Sequence, residues 1–438
     1  MLANSSNLHN DHNVYILGAG FSAHAGYPLI PNFMNIMKDS LDWLQKNKRT
    51  EEIKAIELAL QFQQILRPAA DRICVDVENI EELFSLAFSK VQGPSDTFRN
   101  SLAISIAATL DFAKNTKLTE NCSITLGSMD EYPEPPQGFR QAPDKRYEGD
   151  FYDFFLGVMA GNRKKDWSRK DTIITFNYDL LAEEALTNLG IPCVYGGLHG
   201  AFQANFHSTR YRPDEPESPG VPDPLPEHQV RVIKLHGSIN WMLNPEFDPQ
   251  GDSGAAQYRD RVIVLDDYQS AWNYPQVYEN NRSSKDGSPP TLLLAPPIWS
   301  KDLRDLNAPL SNVWNAAVRA IESATRIIVI GYSMPQTDPY FKYLLAAGLS
   351  ENISLRKLFF INPILDLQVL PGKENAPEEM KTRLFNVIRK HFQEQDRLVL
   401  SDRTTFEFFA DPENRKGINR NFEGIFKNQT VSRLIQPF

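Results

Sequence analysis

The chain has 438 residues, 41% hydrophobic and 23% charged, with 46 Lys and Arg against 55 Asp and Glu and a formal net charge of -9. That length accommodates two or three domains with a sizeable core. The acidic balance argues against direct nucleic-acid binding, whose affinity rests on cations neutralising phosphates. Three cysteines, Cys74, Cys122 and Cys193, form no Cys-x-x-Cys pair, so neither a disulfide framework nor a metal site is expected. With no leader-like N-terminus and no apolar run of membrane-spanning length, a soluble cytoplasmic protein is expected.

The first element is a short apolar strand, Asn13 to Leu17, running into Gly18-Ala19-Gly20-Phe21-Ser22-Ala23. This fits the GxGxxA dinucleotide fingerprint, in which glycines let the backbone approach a pyrophosphate at a helix start. The acidic residue usual about 20 positions later is missing, because Asp39 and Asp42 fall in a helical stretch. A hydride-transferring dehydrogenase is weakened accordingly.

After Pro28 and Pro31 a mostly helical region runs to about Gly161, with helical spacing in IEELFSLAFSKV and FRNSLAISIAATLDFA and an irregular Pro-rich stretch from Ser128 to Lys145. The acidic start Glu78, Asn79, Glu81, Glu82 reads as N-terminal helix charge. The basic run Asn162 to Lys170 reads as a solvated turn. Strand patterning returns at Thr172 to Phe176, followed by Asn177-Tyr178-Asp179 and a helix from Leu180 to Leu189, a βα unit.

Six prolines between Ser208 and His228 mark an exposed loop, ahead of the strand Val230 to Lys234 and Leu235-His236-Gly237-Ser238. A second loop is expected from Glu279 to Pro290. A helix from about Leu303 to Ala324 then leads to the strand Arg326 to Ile330, the turn Gly331-Tyr332-Ser333, a helix from Pro339 to Gly348, and the strand Lys357 to Ile361 ending at Asn362. Beyond Pro371, Glu378 to His391 is helix-like and Thr404 to Phe409 strand-like. Strands ending in Gly18, Asn177, Gly331 and Asn362 converge, in an open parallel sheet, on one crevice. The fold class is therefore α/β, a Rossmann-like mostly parallel sheet (1–31 and 166–370), with a large helical insertion (32–165) and a C-terminal extension (371–438) suited to oligomer contacts.

Five segments in order, GAGFSAHAGYP, TFNYD, KLHGSINW, IGYSMPQTD and FINP, resemble the sirtuin-like superfamily, specifically the bacterial SIR2-like domains of anti-phage defence systems. The resemblance implies a sirtuin-type fold and cleavage of the nicotinamide N-glycosidic bond of NAD, used as substrate without metal. It places Asn177 at the attacking water or nicotinamide ribose and makes His236 the general base; His236 is preferred to the second Leu-His-Gly at His199 because Ser238-Ile239-Asn240-Trp241 follow it. The cofactor contacts it implies are Gly18, Ala19, Gly20, Phe21 and Ser22, then Asp179, Gly331, Tyr332, Ser333 and Asn362. Asp179 caps the following helix or supports the site, with both readings open, and His24 is a loop side chain near the pocket.

Departures from deacylating sirtuins are the missing zinc cysteines and the absence of the Phe-Arg that follows their Gly-Ile-Pro, which imply a different second substrate, such as water. Related outcomes are ADP-ribosyl transfer or deacylation, and a sensor that binds NAD or ADP-ribose without turnover. The resemblance also implies NAD depletion on infection, a homo-oligomer, and a HerA-type ATPase as the controlling partner.

Overall fold

The computed structural model describes residues 12–88, 96–128, 140–141, 146–159, 171–191, 193–198, 202–203, 211–213, 230–243, 262–272, 290–295, 308–334, 340–365, 376–389, 392, 397–405 and 408. The basic run at 162–170, His199 and most of the Pro-rich loops lie outside them. From the N-terminus, β1 (Asn13–Leu17) leads through the single turn α1 (Ala19–Ser22) to α2 (Ile30–Lys46), α3 (Thr50–Ala70), α4 (Ile80–Phe88) and α5 (Asp96–Asn121). Then come β2 (Ser123–Ser128), β3 (Arg140–Gln141), β4 (Arg146–Asp150), α6 (Phe151–Met159), β5 (Thr172–Thr175), α7 (Leu181–Asn188), β6 (Cys193–Tyr195), β7 (Phe202–Gln203) and β8 (Tyr211–Pro213). The rest is β9 (Val230–Lys234), β10 (Gly237–Leu243), β11 (Val262–Val264), β12 (Leu292–Leu294), α8 (Ala308–Glu322), β13 (Arg326–Ile330), α9 (Tyr340–Ser350), β14 (Lys357–Ile361), α10 (Ala376–Val387) and β15 (Leu398–Ser401).

Eight of these strands form the main sheet, in the order β15-β14-β13-β1-β5-β9-β6-β8, and every described neighbour pair is parallel. Parallel sheets are covered on both faces, so their central strands carry continuous apolar runs. NVYIL in β1, TIIT in β5 and RIIVI in β13 are buried at every residue. Because the strands run the same way, all their C-terminal ends lie along one edge.

The helical module is built around α5. Residues 102–113 are buried without a break, as expected for a helix enclosed on all sides. Its interior hydroxyls return to its own carbonyls, Ser105 Oγ to Leu102 O at 2.8 Å and Thr109 Oγ1 to Ser105 O at 2.7 Å, so no unsatisfied polar group is left there. Arg49 ties the module together, donating from Nε to Glu52 (2.8 Å) and from Nη1 to Asp111 (2.5 Å). Among the described residues no helix is long and apolar enough to cross a membrane.

The structure departs from the sequence expectations in four places. The antiparallel sheet β2-β4-β3 takes Ser123–Ser128 and Arg146–Asp150 from the region expected to be mostly helical and Arg140–Gln141 from the stretch expected to be irregular, and Tyr211–Pro213, inside an expected loop, forms edge strand β8, where a proline is tolerated. A second sheet, β12-β10-β11-β7, takes up the His-Gly segment and both later apolar runs. Finally, the C-terminal strand lies at Leu398–Ser401, ahead of Thr404 to Phe409, and pairs with β14 in the main sheet.

Candidate active site

Along the common strand edge, β14 ends in Asn362, β13 in Gly331, β1 in Gly18, β5 in Phe176-Asn177 and β9 in Leu235-His236. A cavity of about 560 Å³ lies over this edge. Ala19, Gly20 and Ser22 of the first turn line it together with Asn177, Asp179 and His236, and so do Gly331, Tyr332, Ser333 and Asn362.

Two residues expected at a cofactor are placed otherwise. Phe21 is turned into the core, 1% exposed, its ring 5.2 Å from that of Tyr152 and 5.7 Å from that of Phe155. Gly18 is outside the lining and serves through its carbonyl, which accepts from Asn177 Nδ2 at 3.0 Å.

The glycines of the first turn are also required by the packing of the chain on itself. A Cβ on Gly20 would stand 2.8 Å from Gly331 Cα, and one on Gly331, where φ is +63°, would stand 2.2 Å from Phe21 N. Two backbones therefore touch here, and only glycine fits. The Gly18 N–H donates to Ile330 O (2.9 Å) and the Gly20 N–H to Gly331 O (2.8 Å). Ala19, at the cavity, is the first residue of α1, where an amide has no acceptor within the helix.

Asn177 is held in one orientation. Its Nδ2 donates to Gly18 O (3.0 Å) and Ser22 Oγ (3.1 Å), and its backbone N–H donates to Thr175 Oγ1 (3.0 Å). With both amide hydrogens committed, Oδ1 is the atom it offers a ligand, as an acceptor.

Asp179 does both things left open for it. Its carboxylate accepts the Leu181 N–H (3.1 Å) at the start of α7 and the Ser22 hydroxyl, which in turn accepts from Asn177. Burial pushes the Asp179 carboxyl above its usual range, and nearby Lys234 pulls it back. Lys234 itself is 0% exposed, donating to Asp179 O and to Glu183 Oε1 at 2.8 Å. That buried pair pins the Asn177–Asp179 segment to β9.

His236 is 4% exposed, yet it lines the cavity. Phe176 (ring centroids 5.3 Å apart), Tyr178 (6.1 Å) and Trp314 (6.5 Å) surround the imidazole. The main chain on either side is anchored, since Leu235 O accepts from Trp314 Nε1 (3.0 Å) and His236 O from Ala295 N (2.8 Å). Gly237, with φ of +85°, turns the chain into β10, and a Cβ there would meet Leu293 O at 1.9 Å. The ring is thus oriented by packing and faces the same space as Asn177.

Asn362 ties loops together: its Nδ2 donates to Tyr332 O (3.1 Å) and its Oδ1 accepts from Ile364 N (3.0 Å). Tyr332 stacks on Phe176, centroids 4.4 Å apart and planes at 17°. His24 lies outside the lining, its ring 6.3 Å from that of Phe151.

Sequence reasoning missed the opposite wall, formed by Leu29 and Phe33 beside Pro28, by Phe84 of α4, and by Ile106 and Leu110 of α5. Asn79, Glu81 and Glu82, read as helix charge, also face this cavity. Both descriptions hold, because Asn79 Oδ1 accepts from Glu81 N (2.9 Å) as a cap does. Arg383 of α10 also lines the cavity, and no motif marks it. No group of three or more His, Cys, Asp or Glu among the described residues is arranged to hold a metal ion.

Residues 171–388 match a family model described as a SIR2-like domain. Among solved structures, one described as Sir2Tm bound to a propionylated peptide is 11% identical, covering 95% of this chain and 96% of that chain, with a TM-score of 0.34. A Sir2 complex with an inhibitor, 2′-O-acetyl-ADP-ribose and a deacetylated peptide is 12% identical over the same shares, with a TM-score of 0.33. No curated protein matches the sequence.

Proposed function

We propose, from the SIR2-like domain at residues 171–388, that this protein uses NAD and that its reaction is hydrolysis of the nicotinamide N-glycosidic bond. The observation that carries the reading is the convergence of a fixed carboxamide, Asn177, and an aromatic-collared imidazole, His236, on one cavity above the first glycine turn. Nicotinamide in NAD⁺ is a cationic leaving group, so the enzyme mainly stabilises oxocarbenium-like charge on the ribose and delivers a nucleophile to C1′. Water forms the new C1′–O bond, the C1′–N bond breaks with its electron pair leaving on neutral nicotinamide, and the water proton passes to the imidazole of His236. Asn177 Oδ1 accepts a hydrogen bond from that water or from the ribose, and the Ser22–Asp179 pair keeps the amide in place.

Ala19, Gly20, Gly331, Tyr332, Ser333 and Asn362 form the dinucleotide-binding floor of the sheet domain (1–31 and 166–370) in this reading. Residues of the helical module (32–165), among them Phe33, Phe84, Ile106 and Leu110, line the cavity, and in this reading they take the place of a peptide-binding domain, which favours water as acceptor over an acyl-lysine or protein. The resemblance of the five strand-end segments to SIR2-like defence domains extends the proposal to cytoplasmic NAD depletion in anti-phage defence, in a homo-oligomer controlled by a HerA-type ATPase, with the segment after 371 offering contacts.

Incubation with NAD⁺ followed by chromatography, with and without such an ATPase, tests it. Wild type releases nicotinamide and ADP-ribose, and Asn177→Ala and His236→Ala each lower the rate by about 10² to 10⁴. Undiminished turnover in both variants removes the assigned site, and label carried from NAD to a macromolecule replaces hydrolysis by transfer.

A further inference from the structure

The cavity follows the strand order, so Asn362, Gly331, Gly20, Asn177 and His236 succeed one another along it. Neighbouring strands are about 4.8 Å apart, which puts the end of β14 about 10 Å from that of β1 on the side away from His236. A dinucleotide with its pyrophosphate at Ala19–Gly20 and its nicotinamide ribose at Asn177 therefore lays its adenosine ribose over Asn362 and the 3-10 turn Pro363–Leu365. Helix α10 packs against that turn, and its Arg383 lines the same cavity as Pro363 and Ile364.

Arg383 is the one Lys or Arg among the described lining residues; Glu81, Glu82 and Asp179 are the acids. Its Nε is enclosed and meets no acceptor among the described residues. An enclosed guanidinium N–H is costly unless an acceptor joins it. Among the described residues, the carboxylate that dinucleotide folds ordinarily set against the adenosine ribose has no counterpart at its usual place, because Asp39 and Asp42 are exposed on α2 and outside the cavity. A carboxylate accepts from a ribose diol and repels a 2′-phosphate. A guanidinium does the reverse, pairing bidentately with phosphate.

We infer that Arg383 is the adenosine-ribose recognition residue and makes this pocket prefer a dinucleotide carrying a 2′-phosphate on that ribose over one with a free diol. The inference rests on the dinucleotide reading above.

Calorimetric titration of the full-length protein with NADP⁺ and NAD⁺ tests it, in wild type, Arg383→Gln and Arg383→Lys, with denaturant midpoints confirming that each variant is folded. Wild type is expected to bind NADP⁺ about tenfold more tightly than NAD⁺. Arg383→Gln should lose at least tenfold more affinity for NADP⁺ than for NAD⁺, and Arg383→Lys should recover part of that difference. Equal losses for the two ligands, no loss in either, or a wild type that prefers NAD⁺ overturns the assignment of Arg383 and leaves the dinucleotide site standing. A wild type that binds neither ligand overturns both.

Discussion

The two walls of the cavity are made of different material. The floor, at the strand ends, is polar and committed: Asn177, Ser22 and Asp179 form a chain of hydrogen bonds, and Gly20 and Gly331 touch backbone to backbone. The roof is mostly apolar, with Phe33, Phe84, Ile106 and Leu110 from three helices of the inserted module. A floor of oriented dipoles suits charge developing on a sugar carbon, because such groups need no reorganisation as the charge appears. An apolar roof excludes water in bulk and selects by shape. Chemistry should therefore be sensitive to single polar changes below, and stability and substrate fit to volume changes above.

The largest effect expected from that contrast is at Asn177→Asp. The substitution keeps the shape but replaces two N–H donors by an oxygen facing Gly18 O and Ser22 Oγ. Turnover should fall by about 10² to 10³, the range for losing one preorganised group, while the denaturant midpoint moves little. A steady-state assay showing less than a fivefold change would mean that the amide's orientation has no part in the reaction.

The floor was largely legible in the sequence and the roof was not. Strands such as RIIVI and KLFFI announce themselves because both faces are buried, and the polar residue ending each one then falls on a shared edge. The glycine pattern was legible as a close approach, but what approaches is the Gly331–Tyr332 backbone, and nothing local distinguishes a neighbouring chain from a phosphate. Ile106 and Leu110 sit in a helix buried over its whole circumference, so periodicity gives them no face and their place at the cavity depends on tertiary packing alone. Arg383 reaches the site only because α10 folds back on the turn after β14.

A change in the roof should act in the opposite sense. Leu110→Ala removes a buried side chain from α5, and we expect about 2–5 kcal/mol lower stability by urea unfolding. It should raise KM more than it lowers kcat, since it loosens the fit without touching the Asn177 network. A kcat loss as large as that of Asn177→Asp, at unchanged stability, would put the chemistry in the roof.

The smallest effect sharpens the contrast from beneath the floor, where α6 supports the first turn by packing Tyr152 and Phe155 on Phe21. Asp153 on this helix is pushed up to about 6, chiefly by burial and further by Asp150, against the hydrogen bond from Asn188 Nδ2 at 3.2 Å. A carboxyl raised above its unfolded value favours the folded state in its protonated form. Its contribution is therefore complete below the unfolded pKa near 3.8 and lost as pH climbs through about 6. Asp153→Asn carries no charge to desolvate, so its urea midpoint should decline less than that of wild type between about pH 4 and 6, and above that window the variant should be more stable by about 1–3 kcal/mol. Parallel curves for the two proteins would show that the carboxyl is solvated, and that the support under the glycine turn is wetter than its packing implies.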